Sequence, residues 1–154
     1  MNMIPDFKEL LAELNVGSVE YVVVGAYALS HHGHIRYTKD LDIFYRGTLE
    51  NAARLRDALV RFGYAPSTMT VKDLASDRYI FYFGREPGRV DLMNSVSGVT
   101  FDQAWSNRET GQVGDELEFP VMGIHDFIAN KRASGRPQDL ADVHMLISAG
   151  RGKE

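Results

Sequence analysis

Hydrophobic residues along the chain follow two different spacings, which separate its predicted helices from its predicted strands. The first helix is indicated by an apolar face at helical spacing that consists of Phe7, Leu10, Leu11 and Leu14. The segment at 19–24, apolar from Tyr21 onwards, then predicts a buried strand, which Gly25 ends. A short helix follows, and we expect it to end at Gly33.

Further strands are predicted at 40–45, 78–84, 89–93 and 116–122. The second and third of these are separated by Arg-Glu-Pro-Gly at 85–88, a tight turn that makes the pair antiparallel. The last strand contains Pro120, a residue that sheets usually confine to their edges, so we expect an edge strand there.

Longer helices are predicted at 48–64, 124–134 and 138–150. Thr48 caps the first and Gly63 ends it, while Gly135 and Pro137 separate the other two. The predicted order is helix, strand, helix, strand, helix, strand, strand, helix, strand, helix, helix. This order predicts an α/β (α+β) fold with a small mixed sheet flanked by helices.

Composition narrows the class of protein. The 154 residues fit one domain over 1–154, and 44% hydrophobic with 25% charged residues is ordinary for a soluble globular chain. The absence of cysteine excludes disulfides and thiolate metal sites and agrees with a cytoplasmic location. The N-terminus lacks the features of a signal peptide, and no apolar stretch is long enough to span a membrane, so we expect no membrane association.

The net charge of −4 argues against a protein that coats nucleic acid through bulk electrostatics. A local basic groove remains compatible with this charge. Of the 17 cationic residues, 12 are arginine, whose forked guanidinium suits phosphate. Local phosphate recognition therefore stays open.

Acidic residues on two predicted strands supply the first candidate chemistry. Side chains two apart on a strand point to the same side, so Asp40 and Asp42 project together. Two such carboxylates repel each other unless a cation lies between them, and aspartate oxygens suit Mg²⁺ or Mn²⁺. If the strand of Asp91 lies alongside, three acids converge and can hold two metal ions for phosphoryl displacement. The alternative is a strand edge with solvated acids.

The turn after the first strand is a candidate anion site. Gly25 ends the strand and Ala26 begins a helix, so free backbone N–H groups can face an anion. The structural alternative is a tight turn that only needs a small residue. The spacing matches neither the P-loop nor the dinucleotide fingerprint.

The combination of Gly25-Ala26, Asp40-x-Asp42 and the later strand acid Asp91 resembles the nucleotidyltransferase superfamily that includes DNA polymerase beta. A narrower resemblance is to the small bacterial branch related to the toxin components of abortive-infection toxin–antitoxin systems. Its motifs are matched by His32-Gly33, Arg36-x-Thr38 and, near the C-terminus, Lys131, Arg136, Asp139 and Asp142. The resemblance covers about residues 20–148.

The resemblance implies transfer of a nucleoside monophosphate from a triphosphate such as ATP to a hydroxyl, with Mg²⁺ or Mn²⁺ as cofactor. Asp40 and Asp42 would hold the metals and the triphosphate. Asp91 would complete the metal site and act as base on the acceptor hydroxyl. Gly25 and Ala26 would cradle phosphate.

Five further residues are implied at the nucleotide. Lys131 and Arg36 would neutralise charge on the phosphates, with Thr38 beside them in the motif. Arg136 and Asp139 would join the nucleotide site. The structural alternatives are a solvated helix position for Lys131, a loop salt bridge for Arg36, and an Arg136–Asp139 pair across a turn.

Ala26 departs from the family, which usually has Gly or Ser there, because alanine offers no hydroxyl to a phosphate. A catalytically degenerate nucleotide- or partner-binding protein is therefore the main alternative. A second is a metal-dependent phosphohydrolase, although the His-Asp metal doublet of many such enzymes is missing. The resemblance implies an RNA end, a protein side chain or a small molecule as acceptor, and a second copy or an antitoxin as partner.

Two other groups of residues are candidates for function. His31, His32 and His34 lie too close together on a short helix to share one tetrahedral zinc readily, so we expect solvated or supporting histidines. The aromatic stripe at 79–83 and Trp105 are expected in the core rather than on a base-stacking surface.

Overall fold

The computed structural model describes residues 1–35, 40–64, 66–85 and 88–152. The helices among them are α1 (Pro5–Val16), α2 (Gly25–His31), α3 (Leu49–Phe62), α4 (Val71–Leu74), α5 (Phe101–Ser106), α6 (Ile124–Ser134) and α7 (Pro137–Ser148). The strands are β1 (Tyr21–Val24), β2 (Asp40–Tyr45), β3 (Phe81–Phe83), β4 (Arg89–Met93), β5 (Glu109–Val113) and β6 (Leu117–Val121).

The strands form one sheet in the order β3-β4-β2-β1-β6-β5. The pairs β1–β2, β3–β4 and β5–β6 are antiparallel, while β2–β4 and β1–β6 are parallel. The predicted fold class, a mixed sheet flanked by helices, is confirmed, as is the antiparallel pair β3–β4 on either side of residues 85–88.

The core lies against the centre of this sheet. Every residue of β1 is buried, as expected for a strand with neighbours on both sides and cover on both faces. The predicted apolar face of α1 is buried as well. Burial of these apolar side chains away from water is the main force that holds helices and sheet together.

The helix-end signals in the sequence act as predicted on α3. The Thr48 hydroxyl accepts a hydrogen bond from the backbone N–H of Asn51 at 3.2 Å. Gly63 ends the helix with a φ of 101°, a left-handed conformation that glycine adopts without strain. No helix formed by the described residues combines the length and the apolar character that crossing a bilayer requires.

Two elements were not predicted. The strand β5 has the sequence Glu-Thr-Gly-Gln-Val, which lacks the alternation of apolar residues by which strands are recognised. The helix α4 has only four residues, although Thr70 caps it by accepting from the backbone N–H of Asp73 at 3.1 Å. Short elements of this kind depend on tertiary packing more than on local sequence.

The expectation that Pro120 marks an edge strand is wrong. The strand β6 is interior, because it pairs with β1 on one side and with β5 on the other. Its pairing with β1 has a single register pair, Val23 with Val121, so the ladder beside the proline is short. The unpredicted β5 supplies the edge instead.

Candidate active site

Three predicted acids lie on two neighbouring strands. In the parallel pair β2–β4, Asp42 stands opposite Asp91, and Asp40 stands opposite Arg89. The inference that these strands are adjacent is therefore confirmed. We call Asp40, Asp42, Asp91 and Arg89 the acid cluster.

The strand period determines where the acids point. On β2, Leu41 and Ile43 are buried, while the aspartates that alternate with them are half-buried. On β4, Val90 and Leu92 are buried in the same way. Packing of the apolar residues on one face of the sheet therefore directs all three carboxylates to the other face.

The electrostatics of the cluster reflect an excess of negative charge. The pKa of Asp42 is raised to about 7, first by burial, and then by repulsion from Asp91, a hydrogen bond with Asp91 and repulsion from Asp40. Arg89 acts in the opposite direction. Crowded carboxylate oxygens of this kind are the donor set that suits a hard divalent cation.

Arg89 was not predicted as a site residue. Its Nε donates to Oδ1 of Asp91 at 2.9 Å, and its Nη2 donates to Oδ2 of the same carboxylate at 3.2 Å. Nη2 also lies 3.3 Å from Oδ2 of Asp40. The available signal was its place two residues before Asp91, which puts both side chains on one face of the strand.

The glycine turn touches the acid cluster. Gly25 has a φ of +67°, a left-handed conformation that disfavours other residues. A Cβ at this position would overlap Oδ2 of Asp42. Both the backbone conformation and the contact with Asp42 therefore require glycine, and Ala26 follows directly in the first turn of α2.

An aromatic side chain extends the row of acids towards the sheet edge. Tyr82 on β3 pairs with Asp91, so the two side chains share a face, and Tyr82 is 69% exposed. The Arg89 guanidinium carbon lies 5.9 Å from the centre of its ring.

The expectation of a buried aromatic stripe is therefore only partly correct. Phe83 is buried and Phe81 packs against the core, whereas Tyr79, Ile80 and Tyr82 are exposed. The expectation for Trp105 is confirmed, since this side chain packs against the core.

Lys131 is 8% exposed, which excludes the solvated helix position. Its Nζ donates to Oδ1 of Asp139 at 2.9 Å and to Oδ2 of Asp142 at 3.0 Å. Both carboxylates belong to α7 and are buried. The amine therefore joins α6 to α7, and among the described residues its ion pairs are with these two acids.

Asp139 accepts hydrogen bonds from two further side chains. One donor is the hydroxyl of Ser134, and the other is Nε of Arg136 at 2.8 Å, the pair across the turn that was the structural alternative. Burial alone would raise the pKa of Asp139, but hydrogen bonds from Ser134, Lys131 and Arg136 outweigh it and lower the pKa to about 2. We call Lys131, Ser134, Arg136, Asp139 and Asp142 the lysine cluster.

The histidines at the end of α2 form internal contacts. His32 is buried rather than solvated, with its Nε2 2.8 Å from the carbonyl of Met122 and its Nδ1 3.3 Å from Nη2 of Arg151. Burial lowers its pKa. His31, His32 and Glu109 each bring a potential ligand atom within 4.8 Å of the others. Since both ring nitrogens of His32 already bond to protein groups, this arrangement supports an anchored helix end.

Two residues of the predicted site, Arg36 and Thr38, lie outside the described residues. Of the other predicted residues, the structure brings Asp40, Asp42 and Asp91 together beside Gly25. It brings Lys131, Arg136 and Asp139 together in the lysine cluster.

The chain belongs to a protein family described as "Nucleotidyltransferase of unknown function (DUF6036)", whose model matches residues 2–148. This match confirms the resemblance to the nucleotidyltransferase superfamily. A search of the curated proteins found no match to the chain.

Proposed function

We propose that this DUF6036 nucleotidyltransferase transfers a nucleoside monophosphate from a nucleoside triphosphate to a hydroxyl acceptor, with Mg²⁺ or Mn²⁺ as cofactor. The observation that carries the proposal is the convergence of three carboxylates on one face of β2 and β4. The glycine turn lies against Asp42 at the start of α2, where backbone N–H groups can bind a phosphate.

The acid cluster fits a divalent metal by its chemistry. It brings three carboxylates together, and the pKa of Asp42 is raised first by burial and then by repulsion from Asp91 and Asp40. Asp40, Asp42 and Asp91 would hold the ion. The chemistry that such an ion supplies is neutralisation of phosphate charge and polarisation of the bond to the leaving group.

The chain's own residues have separate tasks in this proposal. The Asp91 carboxylate accepts the proton of the acceptor hydroxyl, whose oxygen forms the new bond to the α-phosphorus while the bond to pyrophosphate breaks. Gly25 and Ala26 orient the phosphates through backbone N–H groups. Since Ala26 retains its N–H, its missing hydroxyl reduces the number of hydrogen bonds without removing the cradle.

We assign the lysine cluster a positioning role. Lys131 is committed to Asp139 and Asp142, and Arg136 is committed to Asp139, so these groups hold α6 and α7 in place. The contacts support the structural alternative for Arg136 and Asp139. If Lys131 turned to contact the triphosphate, Asp139 or Asp142 would lose its cation. A buried carboxylate would then be left unpaired, at a substantial cost in free energy.

The substrate side of the site is defined by its surroundings. Tyr82 presents an exposed ring beside Asp91, and aromatic faces stack on nucleobases without regard to sequence. We propose an RNA end as the first acceptor to test, then a protein side chain and a small molecule. As partner of the protein we propose an antitoxin or a second copy of the chain, with the protein as a component of a toxin–antitoxin system.

The test is transfer of label from each α-labelled nucleoside triphosphate, with Mg²⁺, to total cell RNA and protein. The proposal expects label on one of these acceptors with the parent and its loss with Asp42→Asn. The matched control is Asp57→Asn, the same change at an exposed acid on α3, which should transfer label as the parent does. Equal transfer by Asp42→Asn and the parent would refute the site.

The alternative of a degenerate binding protein rests on Ala26. It predicts that nucleoside triphosphate with Mg²⁺ raises the melting temperature of the parent, while neither RNA nor protein acquires label. Loss of this thermal shift in Asp42→Asn would then assign binding without transfer to the same site. Release of phosphate without any acceptor would instead favour the phosphohydrolase alternative.

A further inference from the structure

Arg89 binds the carboxylates that a metal ion would need. Its guanidinium nitrogens contact both carboxylate oxygens of Asp91 and one of Asp40, at distances of 2.9 to 3.3 Å. One guanidinium therefore binds two of the three acids of the cluster, although its single positive charge balances only one of their two negative charges. A guanidinium and a divalent cation cannot both use these oxygens in full, because each oxygen has a limited number of lone pairs.

The position of Arg89 is compatible with release. Its side chain is 39% exposed, so moving the guanidinium into water costs less than exposing a buried charge. The ring of Tyr82, 5.9 Å away, offers it a second favourable surface. Arg46, in contrast to Arg89, does not contact the acid cluster in the part of the chain that the structure describes. It follows the opposite end of β2 and forms ion pairs with Glu20 and Asp102.

We propose that Arg89 is an exchangeable counter-cation of the acid cluster: it binds Asp91 and Asp40 in the absence of metal, gives up these oxygens when metal binds, and then contacts the triphosphate. This inference rests on the proposed function. It assigns one positively charged side chain to two successive anions, the carboxylates first and the phosphates second, both of which suit its forked geometry.

The inference and a fixed structural role for Arg89 predict opposite changes in metal affinity when Arg89 is removed. If Arg89 competes with metal, its removal tightens metal binding. If Arg89 only holds Asp91 in position, its removal weakens metal binding, since a metal ligand that is less well oriented binds less well. The affinity for triphosphate is expected to fall when Arg89 is removed, so the two ligands should respond in opposite directions.

The test compares Arg89→Gln with the parent and with Arg46→Gln, in which another arginine held by two acids is changed in the same way. Binding of Mn²⁺ alone is measured by electron paramagnetic resonance, and binding of a non-hydrolysable triphosphate with Mn²⁺ by calorimetry. We expect Arg89→Gln to bind Mn²⁺ roughly threefold to tenfold more tightly and the triphosphate roughly tenfold more weakly. Arg46→Gln should match the parent in both measurements.

Each outcome decides the inference. Unchanged or weaker Mn²⁺ binding by Arg89→Gln, with transferase activity present in the parent, overturns it and leaves the proposed function standing. Mn²⁺ binding by Arg89→Gln but not by the parent supports it in its strongest form, even without transferase activity. If neither protein binds Mn²⁺ while both remain folded by circular dichroism, the inference and the metal site are both refuted.

Discussion

The acid cluster and the lysine cluster contain the same kinds of side chain, but the pKa of an aspartate is raised in the first and lowered in the second. In the acid cluster, three carboxylates share one arginine, and the pKa of Asp42 is raised to about 7. In the lysine cluster, Asp139 alone receives hydrogen bonds from three side chains, and its pKa is lowered to about 2. Burial acts to raise the pKa of both aspartates, and at Asp139 the hydrogen bonds from its three donors reverse that direction.

This difference shows which cluster can bind a further cation. The lysine cluster is closed, because Lys131, Asp139 and Asp142 are buried between α6 and α7 and each of these charges has a partner. The acid cluster is half-exposed and has more negative charge than its arginine neutralises. An added cation is therefore attracted by the unbalanced carboxylate charge of the acid cluster. At the lysine cluster it would have to break ion pairs that stabilise the fold.

The strongest test of this contrast is removal of the lysine charge. Lys131→Met keeps the length of the side chain but leaves Asp139 and Asp142 buried without their shared cation. We expect a loss of about 3–5 kcal/mol in the free energy of unfolding, the range for breaking a buried ion pair. Urea denaturation of Lys131→Met beside Lys8→Met, an exposed lysine on α1, measures it. A loss below that of the exposed control would show that the lysine cluster is not structural.

A second test separates the contact between Gly25 and the acid cluster from the cost of its backbone conformation. Gly25→Ala and Gly33→Ala each place a Cβ at a positive φ, +67° and +100°. A Cβ at Gly33 meets nothing within 4 Å, whereas at Gly25 it overlaps Asp42. We expect a loss of about 1 kcal/mol for Gly33→Ala and about 2 kcal/mol more for Gly25→Ala.

The measurement is again urea denaturation, with Mn²⁺ affinity as a second readout. Displacement of Asp42 should weaken metal binding in Gly25→Ala and leave it unchanged in Gly33→Ala. Equal losses of stability in the two variants would mean that the turn and the acid cluster are independent.

The sequence predicted the acid cluster better than the lysine cluster, and the reason is physical. Alternation on a strand is local, so the common direction of Asp40 and Asp42 follows from their spacing alone. The place of Arg89 on the same face as Asp91 also follows from local spacing, but its contact with Asp40 depends on register between β2 and β4, which no local pattern contains. Likewise, the spacing of Lys131 and Asp139 was visible, but their burial depends on how α6 packs on α7.

The same distinction explains the errors in the fold. Most longer helices and strands were predicted because their apolar faces repeat. The strand β5 was missed because its residues are mostly polar. That omission also led to the wrong edge assignment for Pro120, since the strand that forms the true edge was absent from the prediction.

The smallest expected effect gives the sharpest contrast, because one substitution should have opposite signs in the two clusters. Asp139→Asn removes a carboxylate that three donors stabilise, so we expect a loss of about 2 kcal/mol at neutral pH. Asp42→Asn removes one of three mutually repelling carboxylates, so without added metal we expect a gain of about 1 kcal/mol. Urea denaturation of both variants at pH 7 measures the difference, and losses in both would refute the contrast.

The effect of Asp139 should also depend on pH. Its pKa is about 2 in the folded protein and near the ordinary value of 3.8 in the unfolded chain. Its stabilising contribution is therefore fully present above about pH 4 and is lost as the pH falls towards 2. The deficit of Asp139→Asn relative to the parent should shrink over that interval. A deficit that stays constant between pH 5 and about pH 2 would show that the hydrogen-bonding geometry of Asp139, and not its charge, stabilises the lysine cluster.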